Sequence, residues 1–183
     1  WIKSEMRDRC NSLYGKTVGL VGMGNIGRVV SRYLHGLDAG HILYYDICPM
    51  PREQETELNV EFCELDNLIQ RSDIISLHLP LNDKTRKLID RRRIGMMKSS
   101  AVLINTARGG IVDQEALAEA LQEHRIRGAG LDSYDPEPPS ADSPLLHLDN
   151  VVLTPHTGGA VMENVEPRIQ HVYHCISKFE QGE

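Results

Sequence analysis

Apolar residues in this chain come in short unbroken runs, and the stretches between those runs carry apolar residues at helical spacing. The runs at 16–22 (KTVGLVG), 41–46 (HILYYD), 73–80 (DIISLHLP), 101–107 (AVLINTA), 126–132 (IRGAGLD) and 150–155 (NVVLTP) predict strands. Residues 25–37, 63–72 and 114–124 predict helices between them. Strands that are apolar throughout, rather than on alternate residues, must be buried on both faces, which is the condition of a parallel sheet flanked by helices. The chain therefore reads as one doubly wound α/β domain of the Rossmann type. A further helix is expected at 1–14, and a closing one at 160–179 with Pro167 as a kink or break. The proline-rich stretch at 135–144 is short enough to be a loop.

The first strand runs into VGMGNIG, where Gly22, Gly24 and Gly27 have the G-x-G-x-x-G spacing. Glycines at that spacing are weak evidence alone, but here they leave a strand and open a helix, as the dinucleotide-binding turn requires. Gly22 would allow the tight turn, Gly24 the approach of a pyrophosphate, and Gly27 close packing of helix on strand. The next strand ends on Asp46, placed to accept hydrogen bonds from adenosine ribose hydroxyls. A carboxylate there repels a 2′-phosphate, and no arginine follows before Arg52, so NAD is expected over NADP.

Charge narrows the partners. Twenty basic and twenty-six acidic side chains leave a net charge of -6, a poor balance for nucleic acid or an anionic membrane. The four cysteines are scattered, with neither metal-ligand spacing nor a disulfide framework, and no run is long enough to span a bilayer. Reduced thiols in a cytoplasmic protein, with no metal, are the expectation. An acidic chain that takes an anionic substrate must concentrate positive charge locally, so single arginines carry weight.

Ligands of parallel α/β sheets bind beyond the carboxyl ends of the strands. Three later strands bring polar groups to that edge: 101–105 is followed by Thr106, Ala107 and Arg108; 126–131 by Asp132 and, in the next loop, Glu137; 150–155 by His156. Singly each has an ordinary explanation as a loop ion pair, a solvated acid or a partly buried imidazole. Together, beside a dinucleotide, they make an acid–base pair with an anion clamp.

These stretches resemble the cofactor domain of the D-isomer-specific 2-hydroxyacid dehydrogenase family, which includes phosphoglycerate dehydrogenases and glyoxylate/hydroxypyruvate reductases. GKTVGLVGMGNIG, YYD, SLHLPLNDKT, LINTARGGIVD, GAGLDSYDPEP and LTPHTGG carry the likeness almost end to end. The resemblance implies that Arg108, Glu137 and His156 are catalytic. It implies NAD contacts from Asn25, Ile26, Asp46, His78, Thr85, Thr106 and Asp132, with His156, Gly158 and Gly159 along the nicotinamide end and Asp132 on the carboxamide. Arg108 would grip the substrate carboxylate bidentately. His156 would exchange a proton with the substrate oxygen, oriented by Glu137, which would also stabilise the imidazolium. Formate-oxidising relatives carry Gln where Glu137 stands, so that substrate is disfavoured.

Relatives of this kind have a second domain that completes the substrate pocket, and residues 1–183 read as the cofactor domain without it. The choice among phosphoglycerate, glyoxylate, hydroxypyruvate and lactate is therefore not legible. The family resemblance also implies a homodimer formed through the cofactor domain, including the initial helix. A different class, an NAD-binding sensor like the corepressors related to this family, is the alternative; their segment after the histidine bears an aromatic, whereas this one reads PHTGGA.

Overall fold

The computed structural model describes residues 10–159 and 161–181. Seven strands form one sheet: β1 (Thr17–Val21), β2 (His41–Tyr45), β3 (Glu61–Phe62), β4 (Ile74–Leu77), β5 (Val102–Asn105), β6 (Gly128–Leu131) and β7 (Val151–Leu153). They lie in the order β3-β2-β1-β4-β5-β6-β7, and every pair is parallel. Six α-helices are described: α1 (Asn25–Gly36), α2 (Arg52–Leu58), α3 (Leu65–Arg71), α4 (Arg91–Met96), α5 (Gln114–Gln122) and α6 (Val165–Glu180).

The unbroken apolar runs are explained by two cores, one on each side of the sheet. In β2, Ile42 and Tyr44 join Val18, Leu20 and Met23 on one side, while Leu43 joins Val21, Ile75 and Leu77 on the other. A strand with a polar face could not satisfy both. The chain winds from β1 outward to β2 and β3, then returns to β4 on the other side of β1. That reversal opens a crevice at the carboxyl ends of β1 and β4.

The opposite edge of the sheet is pinned by Asp73. Its Oδ2 accepts the Thr17 backbone N–H at 2.9 Å, and its Oδ1 meets Lys98 Nζ at 2.8 Å, joining the starts of β1, β4 and β5. Burial opposes ionisation of this carboxyl, but the bonds from Lys98 and Thr17 outweigh it and hold the group below its ordinary value.

The structure corrects the terminal helices. Residues 1–9 of the expected initial helix lie outside the described residues, but residues 10–13 carry no helix, and Tyr14 makes an isolated antiparallel bridge to Ala39. At the other end a 3-10 turn at Met162–Asn164 precedes α6, and residue 160 lies outside the described residues. Pro167 neither kinks nor breaks that helix: it sits in the first turn, where a backbone N–H has no intrahelical acceptor to lose. The short elements α2, β3 and α4 were not expected, because six or seven polar-rich residues in the helices and two in the strand show too little periodicity to register.

Asp73→Ala is expected to lower unfolding stability by about 1–3 kcal/mol, since it leaves the Thr17 amide without its acceptor. The folded-state value is depressed, so the wild-type advantage is complete above the ordinary carboxylate value of 3.8 and fades as pH falls through the lower folded value. Urea unfolding at pH 7 and at acid pH measures both effects; a constant difference across that range would refute the ion-pair account.

Candidate active site

At the crevice the chain leaves β1 through Gly22, whose φ of +98° is left-handed. A side chain there would also collide with the His78 carbonyl oxygen, 2.5 Å from a Cβ position. Gly27 packs just as tightly from the helix side, with 2.3 Å between its would-be Cβ and Gly22 O. Gly24 is different: nothing lies within 4 Å of a Cβ built on it, so the backbone is open to an approaching group. The Arg28 N–H bonds Gly24 O as α1 begins, which leaves the amides of Asn25, Ile26 and Gly27 pointing out of the helix N-terminus. No acidic side chain occupies that first turn. This is a cradle shaped and charged for a pyrophosphate.

Asp46 closes one end of it. Its Oδ2 accepts the Met23 N–H at 2.8 Å and its Oδ1 accepts the Cys48 N–H at 3.1 Å. Each oxygen keeps a further lone pair for a ribose hydroxyl. At the other end a cleft of about 610 Å³ is lined by Ile26, His78, Leu79, Thr106, Ala107 and Arg108, among others. Burial pushes the His78 imidazole below its ordinary value, and its Nε2 lies 3.0 Å from Ser76 Oγ.

The loop after β5 is built around Asn105, which is 1% exposed. Its Oδ1 accepts the Ala107 N–H at 3.1 Å and its Nδ2 donates to Arg108 O at 3.0 Å, fixing the backbone at Arg108, whose side chain stays exposed. The next residue can only be glycine, because a Cβ on Gly109 would lie 2.0 Å from the Tyr134 carbonyl carbon. That close approach packs the Arg108 loop against the loop after β6. Arg108 itself bonds its neighbour's carbonyl, Ala107 O, at 2.6 Å, and among the described residues no carboxylate pairs with it.

Asp132 ties the β6 and β7 loops together. It is 5% exposed, and its carboxylate accepts Thr154 Oγ1 at 2.6 Å, Thr157 N at 2.9 Å and Gly158 N at 2.9 Å. Burial works against the charge, yet these bonds from Thr154, Gly158 and Thr157 hold the carboxyl below its ordinary range. Between the two anchored amides and Thr154 lies His156, forced to a φ of +53°. Its Nδ1 meets Glu137 Oε1 at 2.6 Å, both side chains remaining partly exposed. With Nδ1 donating to the carboxylate, Nε2 is the atom left for chemistry.

Comparison with known proteins gives this geometry a family. Residues 1–158 match the profile of the D-isomer specific 2-hydroxyacid dehydrogenase, NAD binding domain. A glyoxylate reductase of Korarchaeum cryptofilum is 45% identical over 172 residues, covering 93% of this chain and 51% of that protein. A hydroxypyruvate reductase of Thermotoga maritima is 44% identical over 166 residues, 89% of this chain and 52% of the relative. The chain belongs to the D-isomer specific 2-hydroxyacid dehydrogenase family. The crystal structure of such a dehydrogenase from Lactobacillus delbrueckii ssp. bulgaricus, in its NAD complexed form, superposes with a TM-score of 0.83 at 34% identity, covering 94% of this chain and 55% of that one. The chain thus spans about half the length of the relatives it matches.

Within this dehydrogenase domain most of the expected site residues converge on the crevice edge. Gly22, Gly24, Asn25, Ile26, Gly27 and Asp46 form the cradle; His78, Thr106, Ala107 and Arg108 line the cleft; Glu137 bonds His156, and Asp132 bonds the Gly158 amide two residues on. Two stand apart. Thr85 spends its hydroxyl within its own loop, donating to Pro80 O at 2.7 Å and accepting the Asn82 N–H at 2.8 Å. The Gly159 carbonyl takes Arg168 Nη2 at 2.8 Å and so belongs to the approach to α6. Three residues that sequence reasoning passed over matter here: Asn105, Thr154 and Tyr134, whose hydroxyl donates toward Thr154 O at 2.8 Å and Leu131 O at 3.1 Å. A polar residue ending an otherwise apolar strand was the available signal for Asn105 and Thr154. Among the described residues no His, Cys, Asp or Glu cluster could hold a metal, and no helix is long and apolar enough to cross a membrane.

Asp132→Asn should keep the fold but free the loop, because an amide nitrogen cannot accept the Gly158 N–H. Hydrogen exchange at the Gly158 amide is expected to quicken by about tenfold, the worth of one hydrogen bond to a charged acceptor. Exchange at the wild-type rate would show that the loop is held by other contacts.

Proposed function

We propose that this domain forms the cofactor half of an NAD-dependent oxidoreductase that moves hydride between NAD(H) and a D-2-hydroxy acid or its 2-keto acid. The observation that carries the reading is the His156–Glu137 pair on the same sheet edge as Arg108, which pairs with no carboxylate among the described residues. A cofactor fits on the chain's own terms: an open backbone at Gly24, outward helix amides and a carboxylate at the ribose end. When bound, the reduced nicotinamide supplies the hydride. Arg108 grips the substrate carboxylate through its planar fork, which leaves the adjacent carbonyl directed into the cleft. His156 gives the Nε2 proton to the carbonyl oxygen in reduction and takes it back in oxidation. Glu137 keeps the imidazole in the tautomer and orientation that make this possible.

Relatives that reduce glyoxylate and hydroxypyruvate point to a small 2-keto acid as substrate. We assign residues 1–183 to a single cofactor domain; the portion of the relatives that this chain does not span would cover Arg108 and His156 and tell one keto acid from another. Exposed thiols at Cys10, Cys48 and Cys175 fit a reducing, cytoplasmic setting. The protein is further proposed to be a homodimer. Val165, Ile169, Val172, Ile176 and Phe179 form an exposed apolar stripe along α6, consistent with a partner surface.

In a full-length enzyme carrying this domain, Arg108→Lys should lose nearly as much catalytic efficiency as Arg108→Ala, roughly a hundredfold, because an ammonium cannot reproduce two parallel bonds. His156→Ala should lower turnover by roughly 10²–10⁴-fold with NAD affinity kept. Steady-state kinetics with glyoxylate and hydroxypyruvate decide; a near-normal Lys variant would return Arg108 to an ordinary surface role. Light scattering at micromolar concentration should report a dimer, and a clean monomer would remove the oligomer from this proposal.

A further inference from the structure

The loop that delivers Asp46 to the cofactor crevice is short and exposed: Ile47 is 82% exposed and Cys48 lies open beside it. Something must fix its shape. Asp46 accepts the Cys48 N–H from within, and from below the buried Met50 N–H donates to the Tyr44 hydroxyl at 2.8 Å. Tyr44 is fully buried, with its ring set edge-on to Phe62 at 5.5 Å between centroids. Its hydroxyl in turn donates to Glu55 Oε1 on α2 at 2.7 Å. Burial and the Glu55 bond push the phenol up to about 12, so it remains a neutral donor at any working pH.

Packing alone does not require that hydroxyl. A phenylalanine would fill the same space between β2 and α2, without the cost of burying a polar group. What the hydroxyl adds is a two-ended link: α2 holds the phenol, and the phenol holds the far end of the loop whose near end is Asp46. Asp46 then reaches across to Met23 in the glycine turn at 2.8 Å.

We infer that Tyr44 is a positioning residue for cofactor selectivity: its hydroxyl, braced by Glu55, clamps residues 46–50 so that Asp46 stands fixed at the ribose edge of the cradle. The inference rests on the cofactor reading above and adds to it a buried residue that touches no cofactor. A loosened loop would let Asp46 swing away, which weakens NAD and at the same time relieves the repulsion of a 2′-phosphate. The two effects together separate positioning from general damage.

The test is calorimetric titration of NAD and NADP against the wild-type chain, Tyr44→Phe, Glu55→Ala and Glu55→Gln, with a thermal melt of each. Tyr44→Phe is expected to bind NAD about tenfold more weakly and to lose a comparable share of its preference over NADP, the scale of one or two lost hydrogen bonds. Glu55→Ala should move both readouts the same way by less, and Glu55→Gln, which keeps an acceptor for the phenol, should restore them. Unchanged NAD affinity in Tyr44→Phe overturns the inference, as does an equal loss for both cofactors. If Tyr44→Phe does not fold, Glu55→Ala decides on the same two readouts. Absent NAD binding by the wild type would overturn the cofactor reading and this inference with it, whereas intact wild-type binding with an indifferent Tyr44→Phe overturns this inference alone.

Discussion

All seven strands point the same way, and that single constraint places everything else. A parallel sheet needs a crossover for every strand, so each strand ends at the same edge and each crossover starts there. Gly22, Asp46, His78, Thr106, Asp132 and the His156 segment all leave strands at that edge, though 134 residues separate the first of them from the last in sequence. The opposite edge carries Asp73 and its two bonds, where side chains serve to hold strand starts together. Chemistry and fastening are thus separated by strand direction.

Convergence on an edge is not yet a site, and loop-to-loop contacts supply the rest. The bare backbone at Gly109 lets the β5 loop lie on Tyr134, the Tyr134 hydroxyl reaches the end of β7, and Asp132 gathers the Thr154 hydroxyl before the His156 turn and the Thr157 and Gly158 amides after it. Arg86 adds a surface pair to Asp135 at 3.1 Å, worth little by itself but consistent with the same closure. These contacts bring a cation, an imidazole and a carboxylate from three loops onto one rim.

Charge is distributed with a similar economy. The buried or half-buried acids of the site, Asp46 and Asp132, are satisfied by backbone amides and a hydroxyl, not by arginine or lysine. Several arginines elsewhere find carboxylates, as Arg91 does at Glu119 and Arg92 and Arg93 do at Asp66, and the latter pairing holds the Asp66 carboxyl down to about 2. Arg108 lines the cleft of this acidic chain, and among the described residues no carboxylate pairs with it. That is the electrostatic condition for taking an anionic substrate from solution.

The sequence by itself determined six of the seven strands, the parallel sheet, the glycine turn and the acid after it, because apolar runs and glycine spacing are local signals. It also carried Arg108, Glu137 and His156 to one edge of the sheet, since strand direction follows from βαβ alternation. It did not determine whether Arg108 had a partner, that Thr85 is consumed within its own loop, or that Asp132 serves the histidine segment through three bonds. Those depend on contacts between residues far apart in the chain, for which neither periodicity nor composition leaves a trace. Pro167 shows the same limit in small: its residue type predicted a break, but its place within the first turn of α6 was settled by where the preceding 3-10 turn ends. Tyr44 is the furthest case. In sequence it is one apolar position in a buried strand; only the packing of α2 against β2 turns its hydroxyl toward Glu55 and Met50 and makes it a brace for the cofactor loop.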